Sequence, residues 1–162
     1  MEKKIFYVMG VSGTGKSTIG TLLSNRLNIP FFDGDDYHPK ENIAKMSSGK
    51  PLNDDDRKDW LLRLNILAFE NSDKGAVIAC SALKESYRTL LKKNIEDSVV
   101  FIYLKGSFQE VQERLRKRGG HFMPAALLQS QFETLEEPRN AMEISISAPP
   151  DVLLETILNQ LS

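Results

Sequence analysis

The stretch Gly10-Val11-Ser12-Gly13-Thr14-Gly15-Lys16-Ser17 matches the pattern G-x-x-x-x-G-K-[ST] at every fixed position. It follows the apolar run Ile5-Phe6-Tyr7-Val8-Met9, which is typical of a buried strand. It precedes residues 16–27, whose apolar side chains fall on one helical face. Strand, glycine-rich turn and helix are the context that a phosphate-binding loop requires. The sequence therefore predicts a nucleotide-phosphate site within an α/β fold.

Each residue type in this loop has a physical role. Glycines let the backbone curl so that successive N–H groups point at an anion, and the start of the following helix adds its dipole. We expect Lys16 to reach the β- and γ-phosphates of ATP and the Ser17 hydroxyl to bind Mg²⁺. The residues predicted to contact the nucleotide in the loop are Gly10, Ser12, Gly13, Thr14, Gly15, Lys16, Ser17 and Thr18.

Length and composition limit the class of protein. The 162 residues predict a single domain, 1–162, and a net charge of −1 leaves no basic surplus for nucleic acid or an anionic membrane. No apolar run approaches the ~20 residues of a membrane span. The first strand begins within five residues, which predicts no signal peptide, and Cys80 is the only cysteine. These features favour a soluble cytoplasmic protein without nucleic-acid or membrane partners.

Short apolar runs alternate with amphipathic stretches along the chain. Strands are predicted at 4–9, 30–33, 76–80, 99–104 and 143–147. Helices are predicted at 16–27, 39–48, 55–71, 82–93, 107–117, 124–135 and 151–161. This alternation predicts a three-layer α/β fold with a central five-stranded parallel sheet.

Two regions interrupt the simple alternation. Residues 38–75 place two helices between the second and third strands, and residues 116–140 add the Gly119-Gly120 pair and a helix before the fifth strand. Sites in such folds form at the carboxyl ends of the strands. We therefore expect a substrate-binding helical insertion at 38–75 and a lid at 116–140.

The second predicted strand ends in Asp33-Gly34-Asp35-Asp36, which places the Asp33 and Asp35 carboxylates at its carboxyl end. Phosphoryl transfer to a hydroxyl requires a group that orients the acceptor and takes its proton. We assign that role to Asp35, and we expect Asp33 to hold Mg²⁺ through water. The residues alone leave open a reversed assignment of the two, or a solvated Asp-Gly turn.

Cationic and polar residues elsewhere could bind an anionic acceptor. Arg57 lies one turn into a helix that Asn53 or Asp54 could cap, where an arginine could clamp a carboxylate or phosphate. Lys84 and Arg88 share one face of the predicted helix, either as anion-binding groups or as a solvated basic stripe. Ser81 could bind a substrate hydroxyl or cap that helix.

A second basic group lies at the end of the helix predicted at 107–117. Arg114 and Arg118 suit stacking on a purine and neutralising charge on the phosphoryl group in flight, and Arg118 is our catalytic candidate. The alternative is a basic helix end that complements its own dipole. His121 could hold a polar substrate or form a hydrogen bond within the lid. Pro149 or Pro150 is a candidate to lie beside the adenine base of the nucleotide.

Several longer strings resemble one known family, the bacterial gluconate kinases (gluconokinases) of the phosphate-loop, nucleoside-monophosphate-kinase-like fold. Leu52-Asn53-Asp54-Asp55-Asp56-Arg57 and Ser130-Gln131-Phe132-Glu133-Thr134-Leu135-Glu136-Glu137-Pro138 are far more specific than the phosphate loop itself. The other matching strings are Met9 to Ser17, Asp33-Gly34-Asp35, His38-Pro39, Met46 to Gly49, Cys80 to Lys84, Tyr87-Arg88 and Gly120-His121-Phe122.

The resemblance implies ATP:D-gluconate 6-phosphotransferase activity, dependence on Mg²⁺ and a homodimer. In that interpretation Arg57, Lys84, Arg88 and His121 face the gluconate carboxylate, while Asp35 and Ser81 serve its hydroxyls. A kinase for another small anion, such as shikimate or a nucleoside monophosphate, is the alternative within the same fold. A GTPase-like switch is disfavoured, because the Asn-Lys-x-Asp string that reads guanine in that class is missing from the sequence.

Overall fold

The structure, a computed structural model, describes residues 3–118 and 124–162. These residues form a sheet of five parallel strands in the order β2-β3-β1-β4-β5. The strands are β1 (Ile5–Met9), β2 (Phe31–Asp33), β3 (Ala76–Ala79), β4 (Val99–Lys105) and β5 (Met142–Ser145). The predicted five-stranded parallel sheet is confirmed.

Helices connect the strands and pack in pairs, α1 with α7, α3 with α4 and α5 with α6. Their bounds are α1 (Lys16–Leu27), α2 (Lys40–Ser47), α3 (Asp54–Glu70), α4 (Glu85–Leu91), α5 (Phe108–Arg118), α6 (Ala125–Thr134) and α7 (Pro150–Leu161). Short 3₁₀ turns occupy Gly34–Tyr37 and Glu96–Ser98. The α/β alternation expected from the sequence is therefore present.

The central strand β1 lies between β3 and β4 and is buried along its whole length. Its run of apolar residues is what a parallel strand covered on both faces requires. The one hydroxyl in the run, that of Tyr7, donates a hydrogen bond to the Leu91 carbonyl (2.8 Å), and the Tyr7 ring stacks on Phe101. Burial of β1 fixes the position from which the phosphate loop emerges.

The start of α3 is set by a reciprocal cap. The Asn53 side chain accepts a hydrogen bond from Asp56 N–H (2.8 Å), and the Asp56 carboxylate accepts one from Asn53 N–H (2.9 Å). One turn further on, the indole N–H of buried Trp60 donates to the Gly34 carbonyl (2.8 Å). This bond ties α3 to the 3₁₀ turn that carries Asp35.

The fourth helix differs from its prediction, because it begins at Glu85 rather than at residue 82. Ala82 has a left-handed backbone (φ 48°), and Lys84 is extended (φ −112°, ψ 152°). Lys84 is consequently the residue before the helix, and Ser81 does not cap it. The predicted shared face of Lys84 and Arg88 is wrong, since Arg88 is buried while Lys84 stays partly exposed.

Two further features are the length of the helices relative to a membrane and the state of the Cys80 thiol. Within residues 3–118 and 124–162, no helix combines the length and the apolar character needed to cross a membrane. Cys80 is buried directly after β3, and burial raises the pKa of its thiol to about 12. The thiol therefore packs as a small apolar group at neutral pH.

The cap of α3 can be tested by substitution. Asn53→Ala removes the acceptor for Asp56 N–H and should lower the free energy of unfolding by about 1 kcal/mol, measured by urea denaturation. Asn53→Ser keeps a capping oxygen and should stay within a few tenths of a kcal/mol of the parent protein. Equal losses in the two variants would contradict the capping assignment.

Candidate active site

The carboxyl ends of β1, β2 and β3 meet at one edge of the sheet, because these parallel strands are neighbours. Gly10 N–H, directly after β1, donates a hydrogen bond to the Ser81 carbonyl beyond β3 (3.2 Å). Asp33 is the last residue of β2. The phosphate loop, the acidic turn and the Ser81 segment therefore lie side by side.

The phosphate loop has the conformation that its glycines make possible. Gly10, Gly13 and Gly15 have φ values of 143°, 84° and 94°, a region that L side chains rarely adopt. Gly15 directly precedes α1 and provides no side-chain cap. The first N–H groups of α1 are thereby left for an anion at the end of the helix.

Lys16 lies across the loop that it is expected to serve. Its ammonium donates hydrogen bonds to the carbonyls of Gly10 (2.9 Å) and Val11 (3.0 Å). Burial lowers the pKa of Lys16, while the charges of Asp35 and Asp33 oppose that shift. The cation is thus held at the loop before any phosphate contact forms.

Ser17 and Asp33 form an oxygen pair next to Lys16. The Ser17 hydroxyl donates to Asp33 Oδ2 (3.1 Å), and Asp33 Oδ1 accepts a hydrogen bond from Asp35 N–H (3.0 Å). A hydroxyl and a carboxylate are the hard oxygen ligands that suit Mg²⁺. In the part of the chain that the structure describes, no group of three His, Cys, Asp or Glu residues could hold a metal ion. The pair fits an ion whose other ligands are phosphate oxygens and water.

Asp35 lies on the open side of this crevice, with a side chain that is 85% exposed. The pKa of its carboxyl is raised, first by nearby protein atoms that displace water and then by the charge of Asp33, and the solvent that reaches the exposed side chain weakens both effects. Lys16 partly opposes the shift. A carboxylate whose pKa is raised is a better proton acceptor than an ordinary aspartate.

His38 lies behind Asp35 and has a structural role. Its ring stacks on Trp60 with centroids 4.1 Å apart, and its Nδ1 lies 3.2 Å from the Asn42 amide nitrogen. Burial, with a contribution from Arg57, lowers the pKa of His38 to about 4. The ring is therefore neutral at pH 7 and makes no ion pair with Asp35, whose carboxylate is 4.0 Å away.

Arg57 and Lys84 are brought together around one tyrosine. Arg57 donates to the Tyr87 hydroxyl (3.0 Å), that hydroxyl donates to Asp54 (2.5 Å), and Lys84 donates to both Asp54 oxygens (3.0 and 3.2 Å). Both cations also lie over the Tyr87 ring, at 5.4 and 5.7 Å from its centroid. We call Asp54, Arg57, Lys84 and Tyr87 the cationic cluster.

The hydrogen bonds in the cationic cluster stabilise the charged forms of Asp54 and Lys84. Hydrogen bonds from Tyr87 and Lys84 lower the pKa of Asp54, and the bond to Asp54 raises the pKa of Lys84. Sequence reasoning singled out Arg57 and Lys84, but it treated Asp54 only as part of a helix start and gave Tyr87 no role. Only the resemblance strings contained a signal for Tyr87.

Arg88 does not join this cluster. Its side chain is 2% exposed, with Nη1 donating to the Ala82 carbonyl (2.6 Å), Nη2 to the Glu136 carbonyl (2.8 Å) and Nε to the Glu85 carboxylate (3.1 Å). Every guanidinium nitrogen thus has a partner within the protein. The predicted substrate contact of Arg88 is replaced by a structural role, which holds the left-handed turn at Ala82 to the segment after α6.

A cavity of about 310 Å³ lies beside the phosphate loop. Its lining includes Thr18, Arg114, Arg118 and Pro150, all candidates for nucleotide contact, together with Lys117 and Leu153, which sequence reasoning missed. Arg114 also donates a hydrogen bond to the Ile146 carbonyl. His121 and the neighbouring Gly119, Gly120 and Phe122 lie outside the described residues.

Known proteins resemble this chain over most of its length. A family model described as shikimate kinase matches residues 12–146. The thermoresistant gluconokinase of Escherichia coli (strain K12) is 50% identical over 139 residues, which cover 85% of this chain and 79% of that protein. The gluconokinase of Gluconobacter oxydans (strain 621H) is 43% identical over 163 residues, or 98% of this chain and 91% of that protein. The chain belongs to the gluconokinase family.

Solved structures agree with this membership. A gluconokinase from Sinorhizobium meliloti 1021 has a TM-score of 0.91 and 42% identity, covering 98% of this chain and 91% of that one. A Mycobacterium tuberculosis APS kinase solved with AMPPNP and APS has a TM-score of 0.71 at 18% identity, covering 99% and 98% of the two chains, a likeness of fold alone. The chain is thus an ATP-using kinase of the phosphate-loop type, as its gluconokinase family membership indicates.

Lys16 provides a direct test of the nucleotide site. Lys16→Ala removes a charge-assisted contact worth roughly 1.5–3 kcal/mol, so the affinity for a non-hydrolysable ATP analogue should fall about tenfold or more by calorimetry. Lys74→Ala removes an exposed lysine elsewhere and should leave that affinity unchanged. A folded Lys16→Ala protein that binds the analogue within about threefold of the parent would refute the assignment.

Proposed function

We propose that this chain transfers the γ-phosphoryl group of ATP to the 6-hydroxyl of D-gluconate, giving 6-phospho-D-gluconate, with the help of Mg²⁺. The observation that carries the proposal is the cationic cluster, which joins Arg57 and Lys84 next to Ser81, whose carbonyl binds Gly10 of the phosphate loop. A linear sugar acid has a carboxylate at one end and a primary hydroxyl at the other. The site offers cations for the first and a carboxylate base for the second.

On the acceptor side, Lys84 and Arg57 bind the gluconate carboxylate with charge-assisted hydrogen bonds. The Ser81 hydroxyl and the Asp35 carboxylate contact substrate hydroxyls. The 6-hydroxyl oxygen attacks the γ-phosphorus in line, its proton passes to Asp35, and the bond from the γ-phosphorus to the bridging oxygen breaks to release ADP. Because both ends of the gluconate molecule are held, only one of its hydroxyls can react.

On the nucleotide side, the loop amides and Lys16 bind the β- and γ-phosphates, and Arg114 and Arg118 line the cavity for the rest of the nucleotide. Arg118 also balances charge on the phosphoryl group as it moves. Ser17 directly, and Asp33 through water, would hold Mg²⁺, which when bound neutralises charge on the phosphate oxygens.

Several other roles and properties of this chain stay predictions. They are the roles of residues 38–75 as a substrate-binding insertion and of 116–140 as a lid, a single domain over 1–162, the substrate contact of His121, a homodimer and a cytoplasmic location. Within the insertion, Lys45 of α2 forms an ion pair with Asp56 of α3 (2.6 Å), the residue before Arg57. This contact holds two of its helices together.

The identity of the substrate can be tested by comparing acceptors with and without a carboxylate. Gluconate should be phosphorylated with a kcat/KM at least about tenfold above that for glucose or sorbitol, because a charge-assisted contact is worth roughly 1.5–3 kcal/mol. ADP release should be followed over a panel that also holds shikimate and nucleoside monophosphates. A preference for shikimate or a monophosphate, or equal efficiency on glucose, would overturn the proposal.

The roles of Asp35 and Asp33 can be distinguished by the pH dependence of the rate and by the requirement for Mg²⁺. A base works in its deprotonated form, so kcat/KM should fall as the pH drops through the raised pKa of Asp35. Asp35→Asn should lower kcat by about 10²–10⁴ and remove that acid limb, while ATP binding persists. Asp33→Asn should raise the Mg²⁺ concentration needed for half-maximal rate. The opposite pattern would show that we have assigned the two carboxylates the wrong way round.

A further inference from the structure

One side chain of α6 contacts the phosphate loop at two points. Gln131 Oε1 accepts a hydrogen bond from Ser12 N–H (2.8 Å), and Gln131 Nε2 donates to the Ser12 hydroxyl (3.0 Å). The two residues are 119 positions apart in the chain. A carboxamide that uses its donor and its acceptor on one partner fixes both the distance and the orientation of that partner.

The chain just after α6 is attached to the acceptor side. Glu136 N–H donates to the Leu83 carbonyl (2.7 Å), and the Glu136 carboxylate accepts from Glu85 N–H (2.8 Å). These bonds lie on either side of Lys84, the cation of the cationic cluster that precedes α4. Residues 131–136, which we call the strap, therefore contact the phosphate loop at one end and the Lys84 segment at the other.

Buried Arg88 completes the attachment at the second end. It donates to the carbonyl of Glu136 in the strap and to that of Ala82 before Lys84, so one guanidinium spans both segments. The strap cannot shift relative to Lys84 without breaking several hydrogen bonds at once. A movement of Ser12 therefore moves the strap, and the strap in turn moves the segment that contains Lys84.

We propose that Gln131 is a positioning residue that couples the ATP site to the acceptor site through the strap. The inference rests on the proposed function, which supplies the two ligands. A ligand that restrains Ser12 also restrains Gln131 and, through the strap, Lys84, so the second ligand loses less conformational entropy when it binds. By thermodynamic linkage, gluconate strengthens ATP binding by the same factor as ATP strengthens gluconate binding.

The coupling factor is measured by calorimetry on the full chain. The Kd of a non-hydrolysable ATP analogue with Mg²⁺ is determined with and without saturating gluconate, and the reverse titration checks reciprocity. The parent protein should show a coupling of roughly tenfold, within the usual range for linked sites. Gln131→Leu should reduce the factor to about twofold or less while the Kd for the analogue alone changes little.

Gln129→Leu is the matched control, because exposed Gln129 lies on the same helix and its amide donates a hydrogen bond to the Glu133 carboxylate (3.2 Å) rather than to the phosphate loop. It should keep the coupling of the parent protein. If Gln131→Leu fails to fold, Gln131→Met keeps the length of the side chain and removes both the acceptor for Ser12 N–H and the donor to the Ser12 hydroxyl, and it should also lose coupling.

Four outcomes would contradict the inference or the function on which it rests. Parent-like coupling in a folded Gln131 variant, or gluconate binding without coupling in the parent protein, would overturn this inference and leave the proposed function standing. Loss of coupling in Gln129→Leu would overturn the specific role of Gln131. Failure of the parent protein to bind gluconate, with analogue binding intact, would instead defeat the proposed function and this inference with it.

Discussion

The hydrogen bond from Gly10 N–H to the Ser81 carbonyl joins the phosphate loop to the turn beyond β3, and the rest of the site is arranged around it. It is possible because β1 and β3 are parallel neighbours in register, so that their chains leave the sheet at the same level. On the other side of β3, β2 ends in Asp33, which the Ser17 hydroxyl reaches. Groups from three separate parts of the chain thereby meet at one edge.

Three cations at this edge have hydrogen-bond partners within the protein. Lys16 bonds to loop carbonyls, Lys84 to Asp54 and Arg57 to the Tyr87 hydroxyl. An anion that enters the site therefore exchanges partners with groups that are already oriented, which reduces the reorganisation needed during the reaction. In the proposed function, the acceptor carboxylate has to compete with Asp54 for Lys84, which would favour acceptors that carry a full negative charge.

Local patterns in the sequence predicted much of the fold and part of the site. The loop, the first strand and α1 form one contiguous unit, and Asp33 and Asp35 lie at the carboxyl end of a short strand, so local spacing was enough to place them. The start of α4 was predicted wrongly because the left-handed backbone of Ala82 leaves no trace in hydrophobic periodicity. That error carried over to Arg88, which a helix from residue 82 would have placed on the same face as Lys84.

Pairings between distant side chains could not be read from the sequence at all. Tyr87 with Asp54, and Gln131 with Ser12, depend on how α3, α4 and α6 pack, and no local spacing encodes those contacts. The residue types were visible, but an aspartate in the first turn of a helix already has a sufficient local explanation. Tertiary structure was needed to show that Asp54 also binds a cation.

The central claim is that the protein holds the two ends of a sugar acid and thereby selects one hydroxyl. Two-dimensional proton–phosphorus NMR of the product made from gluconate and ATP tests it directly, because it identifies the carbon that bears the phosphate. The account predicts a single phosphomonoester whose phosphorus couples to the two protons of carbon 6. Phosphate on a secondary hydroxyl, or a mixture of positions, would contradict it.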